Sequence, residues 1–599
     1  DRAVSNGAKV INLSLGGSSP ASILVNAINR AATAGVVIVV SSGNDGAANP
    51  DLFASGLRQA GNGNVIIAGS VDKTNVISSF TNQAGTEQQW FLNALGEQVC
   101  CTYENGVIKT TTTNGQNYVT VSSGTSFSAP QIAGAAALLF QAFPNLTAAQ
   151  VVSLLLKTAT DGGASGTDAI YGRGILDIAA AFAPQGTTSL AGSSTLLAMS
   201  DTAAVTSPAM GDATQAAALS TLVLDSYNRA YRVNLAASLN GAQIAPKLTS
   251  ALTSQMRQMV TGTDKVALAF TVDNSGHVAA MPWTRQLSLS RSDAEKAKVL
   301  AARIVARISP KAQMGFAFSG GADGLVAQMQ GHDQPAFLIA GNPLQDTGFA
   351  RSGQTSFALR RDMGGALQGW GLTVSAERGE AISAAPLRIG GSAINQRSMD
   401  MTSRFGVAMD RQFGGLTTNF AASWLSEDRT ILGARFANAL GTRGATTLFL
   451  DAGLGWNASE NLRFGAAWRQ GFTHIRSGAT VMGGSHLASN AWAIDASRQN
   501  ALKQGDSLSF RLSQPLRVAS GGIGFNLPTS YNYATLSPTY GISTLNLAPK
   551  GREMTSELAW HAPMLGGAGG ASVYFRHNPG NYSQIAADKG VAFSWNGRF

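Results

Sequence analysis

The chain has 599 residues, 44% of them hydrophobic and 13% charged, which is too long for one core and too apolar for a disordered chain. Its formal charge of +9 is uneven, with 8 Lys/Arg against 10 Asp/Glu in residues 1–188 and 35 against 24 in the remainder. No Lys/Arg run or basic helix accompanies that excess, which argues against a nucleic-acid partner; the arginines fall singly in alternating segments, as in a cationic channel lining.

No run of about 18 apolar residues occurs, so a membrane-spanning helix is not expected. The start, Asp1-Arg2-Ala3-Val4, carries no signal peptide and enters partway into a helix that leads to a strand, so the chain reads as an N-terminally truncated fragment. Cys100 and Cys101 are adjacent; neighbours rarely bond, and the pair makes neither a disulfide framework nor a metal site.

Residues 1–188 alternate strand and helix signals. Residues 9–15 form a short buried strand ending in Gly16-Gly17, Pro20 opens a helix through Ala34, and Gly35 stops it. Residues 36–40 are consecutive β-branched side chains, as a strand covered on both faces requires, and residues 65–68 repeat the pattern. The rhythm predicts a parallel sheet with helices on both sides. Residues 74–123 read as a polar, insertion-prone surface hairpin without assigned function.

Residues 189–265 are rich in Ala, Ser and Thr and read as a linker with local helices. Ile244, Leu248, Leu252, Met256 and Val260 fall four apart, an apolar stripe on one helix. From about residue 266 the period becomes two. Leu462, Phe464, Ala466 and Trp468 alternate with Arg463, Gly465, Ala467 and Arg469, and nine further stretches, including 405–409, 420–424, 448–456 and 508–512, do likewise. Such alternation suits an outer-membrane barrel, lipid outside and water inside, or a soluble antiparallel domain turned the other way. Trp370, Trp424, Trp456, Trp468 and Trp560 near segment ends favour the barrel, as an interfacial aromatic belt would. A barrel of roughly twelve strands suits the remaining length.

The chemistry concentrates in Gly124-Thr125-Ser126-Phe127-Ser128-Ala129-Pro130 and the small-residue helix after it. A serine at a helix start has an exposed hydroxyl and free N–H groups beside it, and Pro130 in or near the first turn costs little. This run resembles the active-serine motif of the subtilases, as do residues 11–17, residues 41–46 after their strand, and Tyr171-Gly172-Arg173-Gly174-Ile175-Leu176-Asp177. The resemblance implies Ser126 as nucleophile and the Asn44 amide as oxyanion donor beside the Ser126 N–H. It implies substrate backbone binding along Ser14, Leu15 and Gly16 and along Ser41, Ser42 and Gly43. Gly16 and Gly43 would leave the S1 pocket open to medium or large apolar side chains. Calcium is possible by resemblance alone, since no Asp/Glu cluster supports it, and no other cofactor is implied.

One departure matters. A subtilase carries its aspartate and histidine upstream of the substrate-binding strand, yet the six histidines here are His277, His332, His474, His486, His561 and His577. The chain itself therefore supplies no general base to the sheet domain, and without it the fragment is expected to be inactive. The terminal alternation of Val591, Phe593, Trp595, Gly597 and Phe599 resembles the closing strand of outer-membrane proteins, with Gly597 departing from the usual aromatic or aliphatic residue. Residues 222–229 resemble junctions between subtilase and barrel. Gly505-Asp506-Ser507-Leu508 spells a lipolytic-esterase motif, but within an alternating strand and without that family's Asp-x-x-His.

The expectation is thus an α/β parallel-sheet subtilase part (1–188), a linker (189–265) and an antiparallel outer-membrane β-barrel of autotransporter type (266–599). Its partners would be a polypeptide substrate and the outer membrane with its barrel-assembly machinery, and the protease would sit at the bacterial cell surface or be released. The alternatives are an inactive surface binding or adhesion protein on the same scaffold, or a protease with a soluble β-rich tail.

Overall fold

A computed structural model describes all residues except 102, 198–200, 217–218, 245–246, 249–255, 264, 274–297, 320, 332–334, 383–386, 390–391, 395–399, 565–566 and 598–599. Leu252, His277, His332 and Phe599 of the sequence reading lie outside the described residues. The chain divides into two compact units: residues 1–196 with 222–232 and 530–539, and residues 197–221 with 233–529 and 540–599.

The first unit is built on a four-stranded sheet of β1 (Val10–Leu13), β2 (Val37–Ser41), β3 (Val65–Val71) and β4 (Phe91–Leu95), adjacent in that order. Every pairing is parallel, for example Val10 with Val37 and Ile38 with Val65. The β-branched run of β2 divides between the two faces as a strand must. Val37 and Val39 pack with α3 (Thr125–Ala142) and α4 (Ala148–Lys157), through Ile132, Ala136, Leu139 and Val151. Ile38 and Val40 pack on the other face with α1 (Ser22–Thr33) and α2 (Leu52–Ala60), through Ile28, Ala31 and Leu57. All five β2 residues are buried, the outcome the run predicts.

β4 is the element the sequence reading missed. It lies within the supposed surface segment 74–123, yet Phe91 and Leu92 are wholly buried. Only residues beyond it form exposed hairpins, Tyr103–Glu104 with Val107–Ile108 and Thr110–Thr113 with Gln116–Val119. Within the same segment the sulfurs of Cys100 and Cys101 are in contact, where bonding between neighbours was not expected.

The supposed linker holds local helical turns at Pro208–Ala216 and Leu235–Ser238, together with short strands at Ala204–Val205, Ser220–Leu224 and Ala230–Asn234. The apolar stripe does not continue on one helix, since Met256 and Val260 lie in a strand, Met256–Gly262. The pairing of Met256–Gly262 with Val266–Asp273 offers its backbone a ladder that a four-residue side-chain spacing alone does not reveal.

The second unit is built on a 16-stranded sheet in which the pairings among the described residues are antiparallel. That exceeds the roughly twelve strands expected from length, because several neighbours are joined by tight turns, as at residues 414–415 and 460–461, and Met256–Gly262 is counted among them. Among the described residues its first strand, Met256–Gly262, and its last, Asp588–Gly597, are not paired with each other. All ten alternating stretches lie in its strands.

The distribution of side chains in this unit is inverted relative to a water-soluble sheet. Phe405, Phe420, Trp424, Leu454, Trp456 and Phe472 are exposed, Trp456 at 52%, while Thr373, Ser423, Thr447, Arg469 and Glu557 on the opposite parity are buried. Among the described residues, several inner arginines are paired with carboxylates rather than open. Arg469 pairs with Asp451 at 2.7 Å, Arg351 with Glu377 at 2.7 Å and Arg576 with Glu553 at 3.0 Å. Burial makes an unpaired charge costly, so inward arginines acquire carboxylates. Glu557 accepts the N–H groups of Leu338, Ile339 and Ala340 at 2.7–2.8 Å, which fixes that segment on the polar face. Asp506 of the esterase-like motif accepts from Trp560 Nε1 at 2.9 Å and from three loop N–H groups, a structural post.

Candidate active site

Ser126 is the second residue of α3, in the turn whose N–H groups have no helical acceptor. Gly124 delivers the chain into that turn with φ +154°, a value side chains rarely adopt. A Cβ there would have room, its nearest neighbour being the Asn44 amide at 3.6 Å, so the glycine serves the backbone conformation rather than space.

Asn44 lies just beyond the end of β2. Its Oδ1 accepts the Thr125 N–H at 2.9 Å and the Thr125 hydroxyl at 3.1 Å. Holding the oxygen leaves the amide nitrogen for a ligand. Among the described residues, Asn44 Nδ2, the Ser126 N–H and Ser126 Oγ have no protein partner. Asn44 is exposed and Ser126 half-buried, so all three are open to a substrate. A hydroxyl beside two unengaged N–H donors is able to attack a carbonyl and hold the oxyanion that results.

Pro130 sits deeper than the first turn, as the sixth residue of α3. The N–H it lacks is the one an α-helix turns onto the Ser126 carbonyl. That carbonyl instead accepts the Ser14 hydroxyl at 2.8 Å, and the Asn12 amide donates to Ser14 Oγ at 3.0 Å.

The other anticipated substrate residues divide. Leu15 and Gly16 are exposed past the end of β1. Ser41, Ser42 and Gly43 are buried, and their backbone is engaged within the protein. The Ser42 N–H donates to Ala68 O at 3.0 Å, Ser42 O accepts from Asp51 N at 2.9 Å, and Gly43 O accepts from Asn82 N at 3.2 Å. Position 43 calls for glycine, with its φ of +106° and Asn82 Nδ2 where a Cβ would stand.

Asp51 and Asn82 escaped the sequence reading. Asp51 Oδ1 caps α2 through Ala54 N at 2.7 Å, and Oδ2 accepts Gly17 N at 2.7 Å. Oδ2 also stands 2.6 Å from a Cβ built on Gly16, so a carboxylate fills space expected to be open and apolar. Burial, aided by nearby Asp45, pushes the Asp51 carboxyl above its ordinary 3.8 despite those two N–H bonds. The helical cap was legible in Asp51 preceding residues 52–60; its reach to Gly17 was not. Asn82 Oδ1 accepts the N–H groups of Asp45 and Ala47, both at 2.9 Å, and so shapes the turn carrying Asn44.

The motif at residues 171–177 closes the sheet beside β4. Asn93 Nδ2 donates to Tyr171 O at 2.7 Å and Gly174 O at 2.9 Å, and Leu176 N returns to Asn93 O at 2.8 Å. No histidine occurs in any segment of the first unit.

A serine hydroxyl and two unengaged N–H donors near one helix start, over a doubly covered parallel sheet, are the arrangement a serine-hydrolase site would need. Residues 1–174 match the family model of the subtilase family. Subtilisin DY of Bacillus licheniformis is 35% identical over 179 residues, covering 30% of this chain and 58% of that protein. Subtilisin Savinase of Lederbergia lenta is 36% identical over 177 residues, covering 29% and 57%. Serotype-specific antigen 1 of Mannheimia haemolytica is 34% identical over 157 residues, covering 26% and 16%. Among solved structures the prenylagaramide maturation protease PagA is 27% identical, covering 30% and 62%, with a TM-score of 0.24. The chain spans somewhat more than half the length of the subtilisins it matches. Its N-terminal part, residues 1–174, is thus similar to a portion of a subtilase domain.

Proposed function

We propose that this chain is part of a subtilase-type serine endopeptidase carried by an outer-membrane β-barrel of autotransporter type. Ser126 Oγ attacks the peptide carbonyl, and Asn44 Nδ2 with the Ser126 N–H stabilises the tetrahedral oxyanion. The observation that carries this reading is that, among the described residues, both donors and the hydroxyl lack protein partners while Asn44 Oδ1 is held by Thr125. The first unit has no imidazole to accept the Ser126 proton. Because the subtilisin relatives extend well beyond the matched share, the general base and its aspartate are assigned to a region of that kind in a longer protein.

The barrel reading draws support from the inverted second unit. A sheet with exposed Phe420, Trp424 and Trp456 and buried Arg469 and Glu557 suits lipid outside and a polar interior. One relative is named as a serotype-specific antigen, which is compatible with display at the bacterial cell surface.

The test is a fluorophosphonate probe applied to the protein expressed from its intact gene. Labelling that disappears in Ser126→Ala is expected. A protein that takes no label is instead an inactive surface binding or adhesion protein on the same scaffold.

A further inference from the structure

We propose that the Ser14 hydroxyl is a positioning residue for the nucleophile, replacing the helical N–H that Pro130 lacks. The inference rests on the reading of Ser126 as nucleophile and concerns how its turn is held.

The Ser126 carbonyl is left without its helical donor by Pro130, and Ser14 Oγ stands 2.8 Å from it across 112 residues of sequence. A serine hydroxyl has one proton to donate. Asn12 Nδ2 donates to Ser14 Oγ at 3.0 Å, so it occupies an oxygen lone pair and leaves the Ser14 proton to face Ser126 O.

The opposite end of the same short segment is also held. Asn44 Oδ1 accepts the Thr125 N–H at 2.9 Å. The peptide unit joining Thr125 to Ser126 lies between these two anchors, and its N–H is one of the two proposed oxyanion donors. Asn44 and Ser14 together therefore set the direction of that N–H and the origin of the Ser126 side chain. Losing Ser14 Oγ releases one anchor, and the first turn of α3 samples directions that miss the developing oxyanion. Such a change weakens the reaction step while leaving the initial binding of a substrate in place.

The experiment compares Ser14→Ala, Ser14→Thr, Pro130→Ala and the Ser14→Ala/Pro130→Ala double variant in the protein expressed from its intact gene. Two readouts are taken: the rate of labelling by a fluorophosphonate over a concentration series, and backbone hydrogen exchange in a peptide spanning residues 124–131. Ser14→Ala is expected to lower the saturating labelling rate roughly tenfold, with the half-saturating concentration within about twofold, and to speed exchange in that peptide. Ser14→Thr keeps a hydroxyl, and the double variant returns an N–H to position 130, so both are expected to recover rate and protection. Unchanged rate and exchange in Ser14→Ala overturn the proposal. So does a double variant that stays slow and unprotected while Pro130→Ala alone behaves as the unsubstituted protein. If the unsubstituted protein takes no label, the nucleophile reading fails, and the exchange comparison still decides whether Ser14 anchors the turn.

Discussion

Replacing Arg229 by methionine removes a guanidinium that is wholly buried in the first unit. Its Nε and Nη2 donate to Asp225 Oδ2 at 2.9 and 2.8 Å, and Nη1 and Nη2 donate to Ala181 O at 2.6 Å and Ala183 O at 2.8 Å. The guanidinium also lies 4.9 Å from the Phe143 ring centre and 5.4 Å from that of Tyr231. It thereby ties residues 222–232 to the end of the short helix Ile178–Phe182. Breaking a buried pair from one side costs about 3–5 kcal/mol, and each orphaned buried carbonyl about 1–3 kcal/mol. The full sum does not apply, because Asp225 keeps the N–H groups of Gln185, Tyr227 and Arg229 at 2.9–3.0 Å and methionine refills the apolar space. We expect about 4 kcal/mol, a rise of roughly 10³ in the local opening equilibrium. Hydrogen exchange in peptides covering 178–183 and 222–232 reads it directly. Asp225→Asn combined with Arg229→Met should cost clearly less than the two changes summed. A loss under about 1 kcal/mol, or strict additivity, refutes the claim that this pair holds the segment.

Asn44→Ala should slow fluorophosphonate labelling about 10²-fold, a magnitude characteristic of this donor in a subtilisin rather than worked from these distances; Asn44→Asp should do no better, since it lacks the donor, and undiminished labelling would remove Asn44 from the site. For Asp51 the folded pKa lies above the unfolded one, so its contribution to stability is greatest below the ordinary 3.8 and is lost as pH rises through the raised folded value. An NMR titration midpoint at or below 3.8 contradicts this, and Asp51→Asn should flatten that part of the pH–stability curve. Gly43→Ala drives a Cβ into Asn82, itself holding Asp45 and Ala47, and should abolish labelling through the Asn44 turn; retained labelling shows the turn adapts. For the second unit, unheated samples should migrate differently from boiled ones in SDS gels, and the absence of any shift argues for a soluble β-rich tail.

What was readable in the sequence is what short-range physics decides. The β-branched run at residues 36–40 cannot be solvated on either face, so a doubly covered strand followed. Residues 124–130 combine a glycine, a hydroxyl and a helix start, and their resemblance to the subtilase active-serine motif singled out Ser126 before its partners were known. Alternation likewise located the strands of the second unit, since side-chain period is a property of the strand alone.

Tertiary structure decided which backbone groups remained free. The backbone of Ser42 is taken by Ala68 and Asp51, and β4 looked like surface until Asn93 engaged Tyr171 and Gly174. Asp51 reaches Gly17 across 34 residues, and Ser14 reaches Ser126 across 112. Such bonds follow from where strands and helices come to lie, and residue type carries no record of that distance. The orientation of the alternating sheet was also undetermined by pattern, because a period of two is the same whichever face meets water. The burial of Arg469 and Glu557 beneath exposed Trp456 and Phe420 supplied what the period could not.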